Sequence, residues 1–313
     1  MKKSTPLFLI LFCFLLFFPS QTFDASKTGL LLWFDTLLPT LLPFLILSQL
    51  ILKTSIIHNI QIVIGPIFKK IFHCSESGAF CILSGFLCGY PVGARLISLL
   101  LEENQITTKE GQYLLSFCNN VSPMFCISYG ILHTIDDSTI FPYLIFIYGS
   151  ALAFGFFTRP KFSYSSLSDT KKQTPSAENI FQLIDVCIID SFVILIKLCG
   201  YLILFSIINT GISMLIPSSA LYARSFLGSL LEITSGLSQV KNIPNDFLRT
   251  ALAITALSFG GLCCIFQTSC VIAYTNLSIK KYTLHKGFTT ILALFFYCFF
   301  YFSERFFSIN RWS

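Results

Sequence analysis

The sequence predicts an all-α polytopic membrane protein with an inverted-repeat, transporter-like architecture: two re-entrant hairpins and two interrupted helices. Three observations predict it. Of its 313 residues, 54% are hydrophobic and only 12% charged, with a mean hydropathy of +0.74, whereas soluble domains carry about 25% charged residues. The apolar residues gather into long runs, and most basic residues sit in the short loops between them. The pattern of those basic loops is also incompatible with every run being a simple crossing.

The chain opens with MKKSTPLFLILFCFLLFFPSQTF, a basic start followed by an apolar run over residues 7–18. This has the form of a signal peptide, but no small-x-small cleavage site follows, so residues 1–28 are read as a retained, signal-anchor-like helix. A first repeat over 29–158 contains apolar segments at 29–52, 78–101, 112–132 and 139–158. The polar stretch RPKFSYSSLSDTKKQTPSAEN, residues 159–179, is read as a cytoplasmic linker. A second repeat over 180–303 contains segments at 180–212, 221–240, 248–275 and 287–303, and 304–313 form a tail.

Basic loops mark the cytoplasmic side. Lys2 and Lys3, then Lys53, Lys69 and Lys70, then Arg159, Lys161, Lys171 and Lys172, and finally Lys280, Lys281 and Lys286 all read as inside, while Asp136 and Asp137 read as outside. Two apolar segments lie between the inside loop at 53–70 and the outside loop at 136, where only an odd number of crossings fits. Segment 78–101 holds a reversal, Gly89-Tyr90-Pro91-Val92-Gly93, whose glycines and proline suit a turn. It therefore enters and leaves on one side. The same parity makes 221–240 a hairpin entered from the opposite side, with its tip at Thr234-Ser235-Gly236. Each half then reads span, hairpin, interrupted span, span. Leu115-Ser116-Phe117 matches Leu257-Ser258-Phe259, and Asp35 corresponds to Asp185.

Non-helical backbone at mid-membrane depth is tolerated only against protein or a wet cavity. Paired interruptions in two oppositely oriented halves mark a transporter's binding site. The interruptions are 89–93, 119–123, 234–236 and 258–261. Pro91 and Pro123 suit a first helical turn and Ser122 an N-cap, which aims unpaired N–H groups at the membrane centre, a favourable end for an anion. Arg95 follows Pro91 by one turn. It is a counter-ion for an anionic substrate, a structural partner of Glu232, Asp35 or Asp185, or a side chain reaching the inner interface. Asn119 and Asn120 either read a ligand or cap broken backbone. The substrate-binding set is Arg95, Asn119, Asn120, Ser122, Tyr90, Gly93, Ser258 and Gly260, with Glu232, Asp35 and Asp185 as coupling or counter-ion groups. Thr107 and Glu110 have capping-box spacing. Gln267 and Ser116 read as helix–helix hydrogen-bonding residues.

Twelve cysteines form no metal-type pair of pairs, so they read as packing residues and no metal or cofactor is expected. The four histidines are isolated. No metalloprotease helix motif, phosphate-binding loop or recognisable triad is present, so the chain is not expected to be an enzyme, nor to bind nucleic acid.

The motifs Ser84-Gly85…Gly89-Tyr90-Pro91…Gly93-Ala94-Arg95 and Ser116-Phe117-Cys118-Asn119-Asn120 closely resemble those of the YlbJ-type sporulation integral membrane proteins. That family, also called stage V sporulation proteins, belongs to the nucleoside-recognition (Gate) group. The leading helix resembles the family's through Trp33, Pro39, Pro43 and Phe44, and the second half through Glu232, Gly236, Ser258, Gly260 and Gly261. The family usually has lysine where Arg95 stands, and this chain has short loops. The resemblance implies a multi-pass protein of the mother-cell-derived outer forespore membrane that moves dipicolinate, a small planar dicarboxylate, during endospore formation. Its implied partners are that anion, the bilayer, and a second copy or other sporulation membrane proteins. A non-transporting assembly factor and a nucleoside-like transporter remain as alternatives.

Overall fold

The computed structural model describes residues 5–54, 56–161, 180–217 and 219–309. Most of the linker at 159–179 and the last four residues of the tail lie outside the described residues. Among the described residues every regular element is helical. Among the described residues four helices are long and apolar enough to cross a membrane, or up to six if each of two sharply bent pairs counts as one span. The chain is thus an all-α polytopic membrane protein.

Helix α1 (Thr5–Phe17) ends where Phe18 leaves helical geometry and Pro19 starts α2 (Pro19–Leu32), and the two diverge by 107°. The leading helix of the first repeat therefore begins at Pro19, inside the stretch assigned to the anchor. It continues through a π-helical turn (Trp33–Leu37) into α3 (Leu38–Lys53). Residues 56–72, expected to be part of a loop, form the amphipathic helix α4 (Ile56–Phe72), which exposes Ile62, Val63, Ile67 and Ile71 and ends on Lys69 and Lys70.

The first hairpin is α5 (Glu76–Cys88) and α6 (Val92–Glu102). Ser75 caps α5 by accepting the Gly78 N–H (3.1 Å), and at the open end Ser77 Oγ donates to Gln105 Oε1 (3.1 Å). The tip turns at Gly89, in the left-handed region at φ +77°, followed by a cis Tyr90–Pro91 bond. Pro91 caps α6 and does not enter its first turn. The arms touch at Gly85 and Gly93: a Cβ on Gly93 would lie 3.2 Å from Gly85 Cα, and one on Gly85 would lie 2.3 Å from Cys118 O.

The first interrupted helix follows as α7 (Thr108–Cys118), non-helical residues 119–122, and α8 (Pro123–Phe125), which widens into a π-helix (Cys126–Ile135). Thr107 caps α7 as its spacing predicted, but the Glu110 carboxylate reaches Ser75 N–H (2.6 Å), tying α7 to the start of the hairpin. The half closes with α9 (Ile140–Leu144), a π-turn (Ile145–Gly149) and α10 (Ser150–Phe157).

The second half repeats the plan. Its leading helix is α11 (Ile180–Leu215), antiparallel to α2–α3 through Trp33 Nε1 on Leu195 O (2.8 Å) and Gln49 Nε2 on Ser191 Oγ (3.0 Å). Its hairpin is α12 (Leu221–Leu231) and α13 (Ile233–Val240). The tip is the extended residue Glu232, not Thr234-Ser235-Gly236, which lie inside α13. Gly236 instead permits close contact, because a Cβ there would lie 2.3 Å from Ser229 Cα. The interrupted helix is α14 (Asp246–Phe259), Gly260 at φ +85°, and α15 (Gly261–Val271). The closing helix α16 (Ile279–Ile309) takes in Lys286, which was expected in a loop.

The two hairpins open toward opposite ends. The first starts beside residues 71–73 and 159–160, joined by Arg159 Nη1 on Ile71 O (2.9 Å). The second opens beside residue 135, where Arg249 Nη2 meets Ile135 O (3.2 Å). We call the first end the basic face. Each tip abuts the break of its own half: Tyr90 N–H donates to Asn120 O (2.7 Å), and a Cβ on Gly261 would lie 3.2 Å from Leu231 O. Each also reaches the other half, Tyr90 lying against Gly260 and Tyr129 Oη donating to Thr234 O (3.4 Å).

Candidate functional site

Where tips and breaks meet lie two cavities that share two lining residues, Leu198 and Gln267. The first, about 140 Å³, lies toward the basic face and is lined by Pro91 and Arg95 of the first hairpin, Asp190 and Lys197 of α11, and Cys270 and Tyr274 at and beyond the end of α15. The second, about 190 Å³, lies on the other side, with Asp35, Tyr90, Ser122, Ser128, Glu232 and Thr234 among its lining residues.

Of the predicted residues, Tyr90, Ser122, Asp35 and Glu232 thus converge on the second cavity, and Arg95 on the first. Asp35 reaches it from the π-helical turn that interrupts the leading helix. Ser122 caps the second half of the broken helix, its Oγ accepting the Phe125 N–H (3.4 Å). Glu232 is buried, and its carboxylate caps α13 by accepting Thr234 N–H (2.9 Å), Ser235 N–H (2.7 Å) and Ser235 Oγ–H (2.6 Å).

Arg95 pairs with none of Glu232, Asp35 or Asp185. Its guanidinium meets Glu102 at 3.5 Å, two turns along α6 toward the basic face. The helix carries Arg95 away from Glu232 because the residue follows the tip and faces the side on which the hairpin opens. Asp185 is exposed near the start of α11 and lines neither cavity. Gly93 and Gly260 are packing positions, against Gly85 and the Tyr90 ring. Ser258 Oγ is buried, without a hydrogen-bond partner among the described residues, and lines neither cavity.

Asn119 and Asn120 line neither cavity either; they sit behind the break in a buried network. Asn119 Nδ2 donates to Thr268 Oγ1 and Tyr282 Oη, both at 3.0 Å. Asn120 Nδ2 donates to Phe117 O (2.6 Å), while its Oδ1 accepts from Lys286 Nζ (3.1 Å). Lys286 is 1% exposed and makes no ion pair among the described residues. It links the closing helix of one half, through Asn120, to the hairpin tip of the other.

Three site residues escaped the sequence reading. Lys286 was grouped with Lys280 and Lys281 as a loop residue. Lys197 and Asp190, which line the first cavity, stand within a 36-residue apolar helix, and ionisable residues in such a setting are themselves a signal of function. Among the described residues no group of three or more His, Cys, Asp or Glu side chains is arranged to hold a metal ion.

No family model and no solved structure matches the chain. It is 25% identical over 315 aligned residues to the sporulation integral membrane protein YlbJ of Bacillus subtilis (strain 168), the match covering 89% of this chain and 77% of the relative. The likeness spans most of both chains and takes in the hairpin-tip and broken-helix motifs, so the chain is similar to the YlbJ-type sporulation integral membrane proteins.

Proposed function

We propose that this protein carries a small dicarboxylate, dipicolinate, across the outer membrane of the forming spore. The observation that carries this reading is the first cavity, where Arg95 and Lys197 face Asp190 at the tip of a re-entrant hairpin. Arg95 also meets Glu102 (3.5 Å) and Asp190 meets Lys53 (3.8 Å), and with two cations to one carboxylate the lining is net basic and suits an anion with two charged ends. Planar carboxylates are favoured partners of a guanidinium fork. The volumes, about 140 and 190 Å³, fall below the roughly 300–1,000 Å³ of sites for drug-sized ligands and match a compact metabolite. Participation in sporulation is carried over from the relative's name, as an integral membrane sporulation protein.

The test is uptake of radiolabelled dipicolinate into proteoliposomes. The parent protein should show saturable uptake. Arg95→Gln and Lys197→Gln should each reduce it about tenfold or more, since a hydrogen bond to a charged group contributes about 1.5–3 kcal/mol. Asn120→Ala should reduce it as well, through the hairpin tip. Saturable uptake of a neutral nucleoside with no dipicolinate uptake would shift the substrate class. No uptake of either by inserted protein, with or without ion gradients, would favour an assembly role.

A further inference from the structure

The two cavities share two lining residues, Leu198 of α11 and Gln267 of α15, and both are buried. Along α15 the lining residues run in order from one cavity to the other. On α15, Cys263 and Cys264 face the second cavity, Gln267 faces both, and Cys270 and Val271 face the first. On α11, Lys197 and Tyr201 face the first, Leu202 the second and Leu198 both, so this helix turns a different face to each cavity. The hairpin tip repeats it, Tyr90 lining one cavity and the adjacent Pro91 the other. Two independent segments of backbone, α15 and the hairpin tip, therefore change sides at one level, with Leu198 of α11 beside them.

We infer that Leu198 and Gln267 are the partition of a single path through the molecule, and that Gln267 is the polar group a crossing substrate meets from either side. The inference rests on the carrier reading for its substrate but not for its geometry. Gln267 Nε2 is held by Cys263 Sγ (3.1 Å), which fixes the amide across the divide. An amide there offers both a donor and an acceptor, so it can pass a carboxylate without trapping it as a second cation would. Leu198 supplies the apolar block that keeps water from joining the cavities.

The experiment is sided labelling of the full-length protein in proteoliposomes with a charged, membrane-impermeant methanethiosulfonate, read by mass spectrometry. Native Cys270 reports the first cavity. Ser128→Cys, or Met124→Cys should that variant elute abnormally on size exclusion, reports the second. Cys270 should label at least tenfold faster from the basic face, and the position 128 reporter at least tenfold faster from the other. Leu198→Ala should let reagent from one face reach both reporters. Leu198→Trp should keep sidedness and lower uptake tenfold or more, and Gln267→Leu should lower uptake with sidedness intact. Labelling of both reporters from the same face, or indifference of labelling and uptake to the Leu198 variants, would overturn the partition. Labelling needs no substrate, so correct sidedness without dipicolinate uptake would defeat only the substrate assignment.

Discussion

Lys286 concentrates the residue-scale physics of this protein. A buried lysine that makes one hydrogen bond, to Asn120 Oδ1 at 3.1 Å, costs more in lost hydration than that bond returns. Its retention in the middle of the network is then a matter of placing the hairpin tip, because Asn120 O also holds the Tyr90 N–H. Lys286→Met keeps the length and volume of the side chain while removing its polar end. We expect this variant to stay about as stable as the parent, the relieved desolvation of the lysine offsetting the roughly 1–3 kcal/mol of leaving Asn120 Oδ1 without its donor, yet to lose most of its uptake. Thermal unfolding in detergent and the proteoliposome assay would check the two halves of that expectation. A large fall in stability would mean that the lysine is chiefly structural. The sequence could not place Lys286, since three basic residues within seven positions look like a loop when helix boundaries are read from hydropathy alone. Arg95 was legible as an unusual charge, but its partner Glu102 lies seven residues away along its own helix, and only the direction of the half-helix selects Glu102 over Glu232.

At the scale of elements, the hairpins show how far spacing alone can reach. The first tip was readable because Gly89, Pro91 and Gly93 are crowded into five residues. The second was displaced because its turn uses no proline or left-handed glycine, only an extended Glu232 that caps the next helix with its own carboxylate. Gly236 suggested a turn but serves contact. Gly236→Ala would drive a Cβ to 2.3 Å from Ser229 Cα, and overpacking of this kind costs about 1–3 kcal/mol, so a fall in melting temperature is expected. Glu232→Ala removes the acceptor of two backbone N–H groups, and loss of an N-cap costs about 0.5–2 kcal/mol. Glu232→Gln keeps one acceptor oxygen and should fall between parent and Ala in stability. If Glu232 also couples transport to protons, the Gln variant loses pH-gradient dependence of uptake; unchanged dependence would leave it a cap alone.

For the whole molecule, the lengths of the half-helices decide the topology. The arms of the first hairpin have 13 and 11 residues and those of the second 11 and 8, which at 1.5 Å per residue span roughly 12–20 Å. A crossing of the ~30 Å hydrocarbon core takes about 20 residues. Neither arm can cross, and each pair returns to the face from which it entered. The interrupted helices differ: α14 and α15 together form a 26-residue apolar stretch, long enough to pass through. These lengths lead to an outcome that simple hydropathy would not give. If 78–101 and 221–240 were spans, counting crossings from the inside loop at 53–70 would put the loops after α6 and after α13 both outside. As hairpins, they put the first loop on the basic face and the second on the opposite one. Cysteines introduced singly at the exposed positions Glu103 and Lys241, labelled by an impermeant maleimide in oriented vesicles, should therefore react from opposite faces, Glu103→Cys from the basic face. Reaction of both from the face opposite the basic one would make both segments true crossings and dissolve the inverted repeat, and with it the meeting of tips and breaks that builds the two cavities.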